Sequence, residues 1–423
     1  MSPDPVVARL DHLLVEMADW VRHCLEGLDE VADGHRVDRI ARLEQLRAAT
    51  AAVQAAECVR FAQSQVEAQL AAGVHPRRMG RGIGDQIGLA CHVSPHTGSR
   101  RLATARALWF DLPHTYALLT AGKISERVAE IVVAETRHLN RQTRRVVDAD
   151  IAQAEIGSLG VRQAEALARR IAYQADRHAY LTRGKTERAN RCVTVRPAPD
   201  TMSYLTGFLP VEQGVACYAA LNQATDTAVA AGDPRSRGQI MADTFVVRLT
   251  GQSTADDVDV EVHLTMPLAG LLDPDNHTPA TLAGHGPVPA DLARHLIHTT
   301  QGRVWWRRLF TAPTGHIVGG DPTRRRYTGW LARLITLRDQ TCRDPYCDAP
   351  IRHLDHIRPY RDNGPTTLTN GRGVCARGNH VRDMPGWHID TIHPGTRQES
   401  QPHTTITRTP TGHTYQSRAP DPP

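Results

Sequence analysis

The residues able to do chemistry crowd into one stretch, Cys342–Trp387, which reads CRDPYCDAPIRHLDHIRPYRDNGPTTLTNGRGVCARGNHVRDMPGW. It holds Cys342, Cys347 and Cys375, three histidines, and the adjacent pair Asp355-His356, set among turn-formers such as Asn363-Gly364-Pro365. Cysteines at knuckle spacing suit a structural zinc ion in a reducing compartment better than a disulfide. A domain this short buries little core, so a staple of that kind is expected. The carboxylate and the imidazole offer different services. Asp355 presents oxygen to a hard cation, and His356 takes a proton from water near neutral pH. Neighbouring residues of a strand face opposite ways, so a bend or bulge is needed to bring both to one site.

These residues resemble the HNH endonuclease signature, the ββα-metal module. In that register His356 matches the first His, the general base. Asn370 matches the middle Asn, which orients the loop bearing the base, and Asp355 matches the metal-binding carboxylate. Cys375 to Arg382 resembles the ending Cys-x-x-Cys-Asn-x-x-Lys, which puts Asn379 in the third, metal-binding position with His380 as an alternative ligand. Asn363 to Thr366 and Pro385-Gly386-Trp387 fit the subfamily that ends in Pro-Gly-Trp. The resemblance implies an endonuclease hydrolysing phosphodiester bonds in DNA. Asp355 and Asn379 would hold Mg²⁺ or Mn²⁺ to polarise the phosphoryl oxygen, while His356 activates water. It also implies a structural zinc on Cys342, Cys347 and Cys375.

Two departures stand out. Gly378 takes the place of the fourth cysteine, so a four-thiolate site cannot form, and His353 or His380 is left as a substitute ligand. Arg382 replaces the family Lys, which keeps the charge and changes the geometry. The alternative is therefore a catalytically inactive nucleic-acid-binding protein with a relic HNH fold. A third reading makes the helical region the functional part, as a protein-interaction scaffold.

The elements that must position this stretch come before it. The fold class expected is mainly α with small β elements (α+β), a helical N-terminal domain followed by a C-terminal ββα-metal module. Residues 5–75 recur at helical spacing, with Asp38 opening a long helix. Ser94-Pro95, Leu112-Pro113 and Ser125 punctuate further helices up to residue 176. A hairpin is expected around Pro199-Asp200, helices over 211–232, 234–251 and 286–298, and strands over 258–267 and 302–310. This run resembles domain of unknown function 222, a helical domain that commonly precedes HNH modules in actinobacterial proteins. SPHTGSRRLATARALWFDLPHTYALLTAGKIS and the hairpin and helix at 192–232 carry the resemblance, which extends over roughly residues 35–320. The expected organisation is an N-terminal helix (1–34), that helical domain (35–320), an HNH module with a basic lead-in helix (321–390) and a polar tail (391–423).

Arg324, Arg325 and Arg326, in a lead-in helix that also carries Arg333 and Arg338, are candidate phosphate contacts, as are Arg358 and Arg382. A net charge of +5 and a pI near 8.8 permit a nucleic-acid partner without demonstrating one. The N-terminus lacks the basic start and unbroken apolar core of a signal peptide, and no segment reads as a membrane span. A cytoplasmic location is expected, with no small-molecule cofactor. Cys24, Cys58, Cys91, Cys192 and Cys217 are expected reduced and buried. His393, His403 and His413 are expected exposed and silent.

Overall fold

Apolar residues spaced three and four apart fill the first half of the chain, and there it is helical. The structure, a computed structural model, describes residues 4–26, 31–251, 264–273, 275–282, 286–299, 327–395 and 401–420. In order come α1 (Pro5–Leu25), α2 (Asp33–Ala71), α3 (Ile83–Ala90), α4 (Pro95–Asp111), α5 (Pro113–Thr120), α6 (Glu126–Thr136), α7 (Arg141–Gln153), α8 (Val161–Ala175) and α9 (Arg177–Ala189). The hairpin β1 (Cys192–Pro197) and β2 (Ser203–Phe208) follows, then α10 (Val211–Ala230) and α11 (Arg237–Thr250). A small sheet, β3 (Leu264–Thr265), β4 (Ala280–Leu282) and β5 (Gly286–Val288), brackets α12 (Leu268–Leu272) and precedes α13 (Ala290–Thr299). The last elements are α14 (Gly329–Asp339), β6 (His353–His356), β7 (Gly371–Val374), α15 (Ala376–Val381), β8 (His388–His393), β9 (Thr404–Arg408) and β10 (Thr414–Arg418). The class is mainly α with small antiparallel sheets, as the sequence implies.

The chain divides into two units, Met1–Glu57 with Thr104–Asp176, and Cys58–Ala103 with Arg177–Pro423. The first has a core of small and branched residues from α2 and α4 to α8, including Leu112, Val132, Val147 and Ile151. On α8 it is Ala164, Ala168 and Ala172, one per turn, that face inward, so the helices pack closely. Caps fix the helix starts: Ser125 accepts from Val128 N, and Asn140 from Thr143 N. Asp148 is fully buried and accepts from the backbone N–H groups of His114 and Thr115 and from the Thr115 hydroxyl. It therefore satisfies the opening of α5, where the N–H groups of the first turn have no partner within the helix.

In the second unit α3 and α4 cross at glycines. A Cβ on Gly98 would run into the backbone of Gly84 and Gly88, so only glycine permits that approach. The β1–β2 hairpin turns through Asp200 and Thr201, both at positive φ, as a tight right-twisted hairpin requires. α14 lies on the two-stranded β6–β7 ribbon with Tyr327, Leu331, Leu334, Ile335 and Leu368 as its core. The same unit ties α3 to the ribbon region. Arg377 grips the Asp85 carboxylate at 2.7 and 2.6 Å, and Arg78 donates to Asp383 O at 2.7 Å.

The structure changes several expectations. The described part of the tail is a sheet of order β10-β9-β8, in which buried Thr404, Thr405 and Thr407 supply β-branched packing that hydropathy alone hides. His403 is 2 % exposed rather than a surface residue. α13 begins at Ala290, because Gly286–Val288 pairs as β5. Of the scattered cysteines only Cys58 is buried; Cys91 is half-buried, and Cys24, Cys192 and Cys217 are exposed. The strand expected over 302–310, most of that over 258–267 and the boundary near residue 320 lie outside the described residues.

Candidate functional site

The β6–β7 ribbon carries the residues the sequence singles out. Its register runs unbroken from His353 opposite Val374 to His356 opposite Gly371. With no bulge, Asp355 and His356 keep the alternation of a regular strand and stand on opposite faces. Asp355 pairs across the ribbon with Arg372. Arg372 is fully buried and reaches Asp344 Oδ1 at 2.8 Å and Asp355 Oδ2 at 3.4 Å. Arg382 also donates to Asp355 Oδ2, and it turns its remaining donors to the carbonyls of His356 and, at 3.0 Å, Ile357. Arg382 is thus turned inward and spent on the fold, not offered to phosphate.

The other face is neutral. His356 Nε2 lies 2.9 Å from Thr366 Oγ1, and its ring sits 4.6 Å from Tyr327 and 5.8 Å from Tyr360, centroid to centroid. Burial pushes its pKa below the usual value; Arg382 adds to the effect and Asp355 opposes it. The imidazole is therefore uncharged at neutral pH, the form a base needs. Asn370 staples the connecting loop. Its Oδ1 accepts from Arg358 N at 2.8 Å, and its Nδ2 donates to Arg358 O at 3.1 Å and Pro365 O at 2.8 Å. Arg358 is exposed and donates to Asp362 O.

The cysteines come together on the neighbouring end of the ribbon. Backbone bonds from Cys342 N to Ala349 O and from Arg343 N to Gly373 O bend the first knuckle onto β7, and Cys375 is the N-cap of α15. The three sulfurs lie within 4.8 Å of one another. The Cys342 and Cys347 thiols donate to Cys375, and the N–H groups of Gly378 and Arg377 add to this, holding its pKa well below the ordinary thiol value. A zinc ion with sulfur ligands at about 2.3 Å needs sulfurs this close, so the trio fits the metal implied by the resemblance. Gly378 stands where the missing fourth ligand would be. A Cβ there would run into Asp344 Oδ2. His353 and His380 are both exposed, and neither joins the sulfurs.

A divalent cation on Asp355, Asn379 and His380 fits less well. The carboxylate is already taken by two guanidiniums, Asn379 is half-buried on α15, and His380 is exposed. Among the described residues the cysteines are the one group of three or more His, Cys, Asp or Glu gathered closely enough for an ion. Arg324, Arg325 and Arg326 lie outside the described residues. Arg338, placed by sequence on a phosphate-facing helix, is buried and binds Asp339, Leu368 O and Gly371 O.

Sequence reasoning missed the ionic scaffold beneath the site. Buried Asp339 is held ionised by Arg338 and Arg343 against the cost of burial, and it accepts from Gly373 N at 2.7 Å. His403, with Nε2 2.9 Å from Thr369 O, is kept neutral down to about 3 by burial and by Arg338. Arg372 joins this scaffold because the ribbon register sets it opposite Asp355.

Residues 38–339 match the family described as Domain of unknown function (DUF222), and the match ends just before Cys342. The chain is 34% identical over 139 residues to the uncharacterized protein Rv3776 of Mycobacterium tuberculosis, an overlap of 32% of this chain and 24% of that one. It is 33% identical over 149 residues to the uncharacterized protein Rv2100 of the same organism, 34% of this chain and 24% of the relative. The matched stretches thus span about a quarter of the length of these curated relatives. No solved structure matches. No helix among the described residues is long and apolar enough to cross a membrane. With the family match covering well over half of its length, this protein belongs to the DUF222 family.

Proposed function

We propose that the chain acts on DNA through its C-terminal ribbon as an HNH-type endonuclease. The observation that carries this reading is His356: half-buried, neutral, braced by Thr366, at the end of β6 beside a loop that Asn370 pins at Arg358 and Pro365. Such a base takes a proton from water attacking a phosphodiester, and a fixed loop keeps it aimed. Exposed Arg358 is the described arginine best placed to meet phosphate. The implied divalent ion does not fit Asp355 while Arg372 and Arg382 hold that carboxylate, so no step is assigned to it.

That same pairing favours a second reading, a module that binds nucleic acid without cutting it. Incubating the full chain with supercoiled plasmid and Mg²⁺ or Mn²⁺ separates the two. Under the nuclease reading wild type nicks the plasmid. His356→Ala then lowers turnover by about a hundred- to ten-thousand-fold and leaves DNA affinity unchanged. Salt-sensitive binding with no cleavage selects the second reading. Neither binding nor cleavage removes both.

A further inference from the structure

Three observations meet on α1. Apolar residues recur there at alternating steps of three and four, Val7, Leu10, Leu14, Met17, Val21 and Cys24, the spacing of a seam between two helices. The five that precede Cys24 are 40–67 % exposed, Cys24 is exposed as well, and no residue of α1 is buried. Next, a helix of 21 residues gains little stability by itself, and packing of its apolar face supplies most of it. With the apolar residues that flank it, the stripe offers roughly 800 Å² per chain, as much as each partner gives to an interface of standard size. Finally, the rest of the helix is acidic. Over residues 4–26 five carboxylates stand against two guanidiniums, Arg9 and Arg22, a net charge of −3.

We propose that α1 is a dimerisation helix that docks antiparallel on α1 of a second copy of this chain. The stripe is self-complementary in that arrangement. With Leu14 level with Met17 of the second copy, Leu10 meets Val21 and Val7 meets Cys24. The two-fold axis repeats each pair, which gives six apolar layers. A parallel pair would set the Asp11 carboxylate against Val6 of the other copy and run the two helix dipoles in the same sense. The antiparallel pair sets Asp11 against Ala18 and opposes the dipoles. Charge argues against the other surfaces an amphipathic helix serves. Helices that lie on lipid or nucleic acid carry lysine and arginine on the polar face, and this one is acidic. The helix also lies outside residues 38–339, so the pairing is read from this chain alone and not from the matched domain.

Light scattering of the full chain tests the pairing. The expected mass is twice the 46.6 kDa of one chain, and Leu14→Glu/Met17→Glu returns it to one chain. Both side chains are exposed, so the thermal unfolding transition followed by circular dichroism stays in place. Orientation is read by oxidation with diamide in a Cys192→Ser/Cys217→Ser background, which removes the other exposed thiols. Val7→Cys in that background forms a disulfide-linked dimer through Cys24 of the second copy, and adding Cys24→Ser abolishes it. The background chain alone does not cross-link, because the two Cys24 residues lie roughly 25 Å apart along an antiparallel pair. A monomeric wild type, whether free or held on phosphatidylcholine vesicles, would overturn the proposal. So would a dimer that survives Leu14→Glu/Met17→Glu, or cross-linking through Cys24 alone. None of these readouts uses DNA, so the dimer and the nuclease reading can fail separately.

Discussion

The two faces of the β6–β7 ribbon differ more than their sequence suggests. One face buries a carboxylate under two guanidiniums, a closed ionic contact that costs free energy to open. The other holds an imidazole among phenols and a hydroxyl, neutral and half-buried. Asp355 and His356 are consecutive, yet the peptide between them separates two electrostatic environments. Adjacency in sequence does not make a dyad. A strand separates neighbours as firmly as a helix joins residues four apart.

The strongest way to break this contrast is to remove the shared cation. Arg372→Ala leaves Asp344 and Asp355 without their buried partner and should cost about 3–5 kcal/mol, the usual penalty for breaking a buried pair. Urea denaturation would show it, and a loss below about 1 kcal/mol would mean the pair is solvated in solution. Arg382→Ala should cost less, about 1.5–3 kcal/mol for the charged hydrogen bonds it makes. It also sharpens the comparison by coupling the faces. With Arg382 gone, Asp355 keeps Arg372 alone, and the His356 pKa rises toward its ordinary value, because the nearby positive charge no longer opposes protonation. Titration by NMR tests this; an unchanged pKa would show that burial alone sets it.

A third test uses acid. Unfolded His403 takes a proton near pH 6.5, whereas folded His403 stays neutral to about 3. Between those values the unfolded state binds more protons. Stability from this residue is therefore intact above pH 6.5 and falls as pH drops, by about 1.4 kcal/mol per unit. Urea midpoints at pH 7 and 5.5 would measure the loss, and His403→Leu should flatten it. The smallest effect belongs to Thr366→Val. Deleting one half-buried hydrogen bond to His356 should cost about 0.5–1.5 kcal/mol and leave Asp355 undisturbed.

Much of the architecture was legible. The cap at Ser125, prolines 95 and 113 and the turn at Asp200 are local signals, and local signals survive into the fold. The cysteines were legible as a group because their spacing is a ligand pattern. Of the sheet after residue 401 only a short hairpin, from Trp387-His388-Ile389 to Thr411-Gly412-His413, is legible, since its inward residues are threonines and a histidine rather than aliphatics. The roles of Arg338, Arg372 and Arg382 were not legible. An arginine reads as surface by composition, and only packing against Asp339, Asp344 and Asp355 turns it inward. Gly378 was read as a loss. The structure adds that Asp344 fills the space, which no spacing rule predicts.

The Asp85–Arg377 contact spans 292 residues of chain. During synthesis at about 5–20 residues per second, Asp85 emerges roughly 15–60 seconds before its partner exists. Until then α3 carries a carboxyl group without the guanidinium that, in the finished fold, pulls it back toward the charged form against the cost of burial. The family match stops at residue 339, so a fragment cut to that boundary would keep α3 and lose Arg377 for good. Such a fragment should expose α3 to proteolysis while the full-length chain protects it. The similarity boundary and the folding boundary of this protein are then different places.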